Sequence, residues 1–146
     1  MIITLKIGSL IPMKSLEIRD AKGVMLAVIF RNQNETTDGI EFLTVPDLEL
    51  QVATMIRRKG SEISRHFHPS QNRLLKQTSE VIVILDGLVE VDIYSDDLTL
   101  NSTHRLGKGE IIYLISGGHG FRIIENAQLI EVKQGPYYEK FDKTYF

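Results

Sequence analysis

The chain has no cysteine and no tryptophan, only four prolines, and a formal net charge of just -2 over 146 residues. Without thiols there is no disulfide framework, no thiolate nucleophile and no thiolate metal site, so a metal would need imidazole, carboxylate or water ligands. The redox compartment is left open. No apolar run approaches the roughly 18 residues of a spanning helix; the runs are short stretches such as Val81 to Leu85 and Ile111 to Ile115. An integral membrane protein is not expected. The near-neutral charge and the lack of a helix-turn-helix or zinc-knuckle pattern give no case for nucleic acid as a partner. Met1 to Leu10 carries Lys6 inside its apolar stretch, with no basic leader and no small-residue cleavage site. That pattern predicts no signal peptide and a cytoplasmic protein.

What is present fits one soluble domain over 1–146. Hydrophobic residues make up 42% of the chain, enough for one core, and 25% charged residues suit a solvated exterior. The apolar residues come in runs of four to seven broken by Gly, Asn, Asp or Pro, a rhythm that predicts an all-β fold. Strands are expected over Val24–Phe30, Glu41–Leu43, Leu48–Ile56, Glu80–Leu85, Leu88–Tyr94, Glu110–Ile115, Gly120–Ile124 and Gln128–Lys133. Asp86-Gly87 reads as a hairpin turn between two of them, because glycine supplies the positive φ that a tight turn needs. The alternation in Val89 to Tyr94 predicts one buried and one wet face. Asp96, Asp97, Asn101 and Ser102 read as a polar loop, and Gly107-Lys108-Gly109 as the next turn. Helix is nearly absent, with a turn or two at most over Arg73–Thr78 and in the last ten residues.

His66-Phe67-His68 is the most informative triplet. Residues i and i+2 of a strand point to the same side, so two imidazoles can be aimed at one point. The flanks extend the pattern: Gly60, five residues, His66-x-His68, a gap, then Glu80, six residues and Gly87. Farther on come Gly109, five residues, Ile115, Ser116, Gly117, Gly118 and His119. Together these resemble the two signature motifs of the cupin family. Three departures stand out: Ile115 replaces a usual proline, His119 arrives one residue early with Ile123 where an Asn is usual, and eleven residues separate His68 from Glu80.

The resemblance implies a double-stranded β-helix, or jelly-roll, cupin barrel with an N-terminal strand extension and a barrel core over about 48–135. It also implies that His66, His68, Glu80 and His119 converge as ligands of a divalent metal ion. Three imidazoles and a carboxylate suit Fe, Mn, Ni, Zn or Cu and do not choose among them. Gln71 is the fallback for Glu80, and His104, among polar neighbours, reads as exposed. The stretches Gly117 to Phe121 and Glu131 to Tyr137 resemble small single-domain cupins of sugar-nucleotide and surface-polysaccharide pathways, which implies a sugar-like small-molecule ligand.

From Arg57 to Lys76 six basic residues stand against the single acid Glu62, a local balance of +5. Arg57, Arg65, Arg73 and Lys76 are thereby candidate binders of a carboxylate or phosphate, and Pro69 to Ser79 a candidate lid. Tyr137, Tyr138, Phe141, Tyr145 and Phe146 place five of eleven aromatics in the last ten residues. Aromatic bodies favour burial, so this segment is expected on the barrel or on a second subunit, and a homodimer is expected; Ile2 to Ile7 is a further strand for exchange. The function expected is metal-assisted isomerisation or epimerisation, with Tyr113 or Glu131 as the base. The alternatives are Fe(II)-dependent oxidation by O2 and a binding module without turnover.

Overall fold

The computed structural model describes residues 14–31 and 38–146. In chain order the elements are β1 Lys14–Arg19, β2 Met25–Arg31, β3 Gly39–Phe42, β4 Ala53–Ile56, β5 Glu80–Asp86, β6 Leu88–Tyr94, β7 Leu100–Gly107, β8 Ile111–Leu114, β9 Gly118–Ile123, β10 Gln128–Lys133 and the single turn α1 Glu139–Asp142. The protein is all-β. Its strands form a five-stranded antiparallel sheet in the order β1-β2-β8-β5-β10, a three-stranded sheet β7-β6-β9, and the separate hairpin β3-β4. Among the described residues these do not join into one continuous barrel, and no helix is long and apolar enough to cross a membrane.

The period of two explains how the sheets meet. Ala27 and Ile29 of β2, Ile82 and Ile84 of β5 and Ile112 of β8 project from one face of the larger sheet. They meet Val89, Val91 and Ile93 of β6 and Leu106 of β7 across the core. Each of the valine, leucine and isoleucine side chains, when fully buried, contributes about 1.5–3 kcal/mol. The alternate residues Val28, Phe30 and Tyr113 project from the opposite face, where Leu43, Leu48, Leu50 and Val52 cover them. The larger sheet is therefore a middle layer, buried on both sides along β2 and β8. On the outer face of β6, Glu90 and Asp92 bind Arg122 of β9, so the wet face expected over Val89 to Tyr94 carries an ionic network.

Several expectations change. Asp86-Gly87 does not close a hairpin: β5 and β6 belong to different sheets, and the dipeptide turns the chain from one layer to the other. Gly87 does hold a positive φ of 85°. Its missing side chain also matters, since a Cβ there would lie 2.1 Å from the Asn126 carbonyl oxygen. The polar stretch around Asn101 and Ser102 is strand β7, paired along β6. Strand β1 was not anticipated, and β1 and β2, ahead of residue 48, belong to the main sheet. Of Leu48–Ile56 only Ala53–Ile56 is strand, because the Gln51 amide bonds the Val45 and Leu48 carbonyls and holds a turn. Arg73–Thr78 forms no helix. Ile2 to Ile7 lies outside the described residues.

Candidate functional site

Glu80 opens β5 and His119 sits in β9, so the two stand on different sheets. Register aims both inward. Glu80 shares the face of Ile82 and Ile84 and pairs with Leu114, while His119 pairs with the core residue Ile93. At this end of the layers His119 Nε2 lies 3.3 Å from Glu80 Oε2, with side chains 32% and 13% exposed. They border a cavity of about 380 Å³, lined also by Tyr94, Leu114, Gly118 and the chain's last residues, Asp142 to Phe146.

Charge around the pair is organised by β10. Lys133 is the cross-strand partner of Glu80. Its Nζ lies 3.9 Å from Glu80 Oε1, 3.3 Å from Glu131 Oε1 and 2.6 Å from Asp142 Oδ2. The hydrogen bond from His119 holds the Glu80 carboxyl below the usual carboxylate range, against burial and with help from the charges of His119, Lys133 and Lys143. Glu80 is thus an anionic oxygen donor at neutral pH. The bond to Asp142 likewise raises the Lys133 ammonium above its ordinary value. Phe146 meets Tyr94 edge to face at 5.1 Å, and its ring occupies the space beside Gly118, where a Cβ would come within 2.7 Å of it. The aromatic C-terminal segment therefore folds onto its own chain through Phe146, while Tyr145 remains 90% exposed.

No protein-family model, curated protein or solved structure matches this chain.

The anticipated site residues divide. The structure brings Glu80 and His119 together. His66 and His68 lie on residues 57–78, an irregular and exposed stretch; their rings meet edge to face at 5.3 Å, and His66 Nδ1 lies 2.8 Å from the Ser64 carbonyl. Among the described residues no three His, Asp or Glu side chains are gathered as a metal site. Arg57, Arg65, Arg73 and Lys76 occupy the same exposed stretch; Arg73 donates to Gln71, and Lys76 lines a neighbouring cavity of about 300 Å³. Glu131 shares the face of Lys133 and Glu80. Tyr113 does not: it pairs with Val81, so its side chain lies on the opposite face of the sheet from Glu80. There its hydroxyl accepts the Leu50 N–H at 3.1 Å and sits 3.5 Å from Ser79 Oγ. A base at Tyr113 would have to act through the sheet. His104, expected to be exposed, is half-buried on the inner face of β7, with Nε2 2.9 Å from Ser102 Oγ.

Two members of the site were not anticipated. Lys133 was legible in principle, two residues from Glu131 and so on the same face of a strand. Asp142 had no local signal, since only the return of the chain's end brings it to Lys133.

Proposed function

We propose that the Glu80–His119 end of the fold is a small-molecule site for an anionic, sugar-like ligand, working as a metal-assisted isomerase or epimerase of cupin type. The observation that carries this reading is the inward-facing imidazole and carboxylate, 3.3 Å apart on a cavity of about 380 Å³. That volume lies within the usual range for small-molecule sites. Two facing layers with one donor on each also support a jelly-roll form of the fold.

The donor set fits a divalent ion. An ionised carboxylate and an imidazole are borderline-hard ligands, and His66 and His68, at i and i+2, would supply two more. A metal bound there would supply a Lewis acid for a carbonyl or hydroxyl. The chain's own groups do the rest. His119, with help from Lys133, keeps Glu80 ionised, Lys143 on the cavity wall offers a cation to an anionic ligand, and Glu131 faces the same side as Glu80 and is the base candidate. Arg65 and Arg73 would add guanidinium forks if the stretch that carries them closes on the site.

The direct contact of Glu80 with His119 favours a second reading, a metal-free acid–base dyad in which the carboxylate orients the imidazole. Elemental analysis separates them. The metal reading expects close to one Fe, Mn, Ni, Zn or Cu ion per chain, lost in both Glu80→Gln and His119→Ala. A wild-type protein that takes up none of the five on titration overturns it and leaves the dyad. Retained sugar-acid binding without turnover would make the protein a binding module, and O2 consumption with iron bound would make it an oxygenase.

A further inference from the structure

The aromatic residues of the C-terminal segment are not all used by the Glu80–His119 site. Phe146 packs edge to face on Tyr94, and the Lys133 ammonium lies 5.2 Å from the centre of the Tyr137 ring. Tyr138 and Phe141 have no such partner among the described residues. They are 63% and 88% exposed, and both border the second cavity, of about 300 Å³. That volume stands at the lower end of the range for small-molecule sites and leaves room for one ring with a polar group.

Both walls of this cavity are fastened to the body of the protein. One is Leu75 to Thr78, pinned where the Lys76 N–H donates to Glu49 at 2.9 Å and the Gln77 amide donates to the Ile115 carbonyl. Directly after it, the Ser79 N–H donates to Gln134 Oε1 at 2.8 Å, and Gln134 Nε2 donates back to Ser79 Oγ at 3.0 Å. Ser79 is buried, so this reciprocal pair anchors the wall to Gln134, itself part of the lining. The other wall is α1, where the Phe141 N–H donates to the Tyr138 carbonyl and Asp142 binds Lys133. A ligand entering such a cavity has little of it left to order, which lowers the cost of binding.

The lining selects a ligand by two features. Leu75, Pro136, Tyr138 and Phe141 make it apolar and largely aromatic, and aromatic rings favour offset or edge-to-face contact with another ring. Its two charged residues are Lys76 and Asp142. Asp142 is neutralised by Lys133, whereas Lys76 belongs to no ion pair among the described residues. An unpaired ammonium beside uncovered rings fits a molecule with one negative charge and one flat apolar ring. The Asp142 carboxylate on the same cavity disfavours a dianion such as a phosphate monoester more than a monoanion.

We propose that this cavity is a second binding site, for a small aromatic carboxylate, with Lys76 holding the carboxylate and Tyr138 and Phe141 holding the ring. It is separate from the Glu80–His119 cavity: of their lining residues the two share Thr78 and Asp142 alone, and Asp142 is tied to Lys133 at 2.6 Å. Neither His119 nor a metal beside it takes part in the second site.

Benzoate is the probe, titrated into the full chain while backbone NMR shifts are followed. Shifts are expected at Leu75 to Thr78 and Tyr138 to Asp142, with a Kd of about 1 mM for so small a molecule. Lys76→Gln should weaken binding about tenfold, through loss of a charged hydrogen bond, and Phe141→Ala about fivefold, through loss of ring contact. Both side chains are exposed, so the variants should fold, and unchanged shifts in the two larger sheets check that they do. Benzamide, without the charge, cyclohexanecarboxylate, without the flat ring, and phenyl phosphate, with a second charge, should each bind more weakly than benzoate. No shift at these residues, or an affinity that neither substitution lowers, overturns the site; tighter binding of phenyl phosphate overturns its assignment to a carboxylate. His119→Ala should bind benzoate as the wild type does, and loss of binding there overturns a separate site. A wild-type protein that takes up no metal sinks the metal reading of the first cavity and leaves the benzoate result standing.

Discussion

Lys133 stands directly across from Glu80 on the neighbouring strand, yet its ammonium group lies 2.6 Å from Asp142 and 3.9 Å from Glu80. The lysine thus ties the returning C-terminal segment to the sheet while lending the site a cation. Charge-assisted hydrogen bonds of this length are the stronger kind.

Replacing that lysine separates the two roles from the rest of the fold. Lys133→Met keeps most of the side chain's apolar stem and removes its charge. The expected result is that residues 139–146 become open to proteolysis while the sheets stay folded, read by limited digestion and mass spectrometry. The Glu80 carboxyl should also titrate higher, measured by NMR. A tail as protected as in the wild type would show that Phe146 on Tyr94 holds it alone.

Tyr113→Phe should lower stability by about 0.5–1.5 kcal/mol, because the part-buried Leu50 N–H loses its acceptor. Metal uptake and ligand affinity should not change, since the hydroxyl lies on the far face of the sheet. Denaturant titration and zinc binding on the same preparation check both halves.

Gly87→Ala should be among the most damaging single substitutions. Its left-handed backbone alone costs a residue with a Cβ about 1–2 kcal/mol, and the added atom would meet the Asn126 carbonyl. Gly120→Ala, in open space, should be nearly neutral. Thermal unfolding of the two variants side by side gives the comparison.

Stability should fall in two stages as pH drops. Burial and the charge of Arg31 lower the His104 pKa below its ordinary 6.5, so the unfolded chain takes up that proton first. Stability is then lost as pH falls from about 6.5 toward the folded value. The carboxyls of Glu80, Glu90 and Asp92 are lowered chiefly by hydrogen bonds to His119 and Arg122. Their stabilisation persists above their unfolded values and is lost as pH falls through the folded ones, below about 4. His104→Gln should remove the upper stage and leave the lower, in denaturation midpoints measured from pH 8 to 3.

The apolar strands were legible because burial on a pleated sheet leaves a period of two: β2, β5, β6, β8 and β10 follow from their runs of Val, Ile and Leu. Strand β7 was not, since Asn101, Thr103 and Arg105 face outward and Ser102 and His104 take inward places usually held by apolar residues. The Asp86-Gly87 turn was found but its meaning was not. A positive φ is a local property, whereas the choice between a hairpin and a turn from layer to layer depends on which faces are buried. In the site, the resemblance to the cupin motifs and their spacing singled out Glu80 and His119. Parity alone could not say which face of β8 meets them, and so placed Tyr113 among the candidates.

The layer change at Gly87 also bears on how the chain reaches its native state. Strands adjacent in sequence here lie across the core from each other, so the five-stranded sheet must be assembled from distant partners. Ala27 waits for Leu114, and Ile84 for Leu129. Among the described residues, only β1-β2 offers that sheet a local hairpin to start from. Such a topology places the protein among slow folders, in the millisecond-to-second range, with β5 exposed until the C-terminal strand has been made.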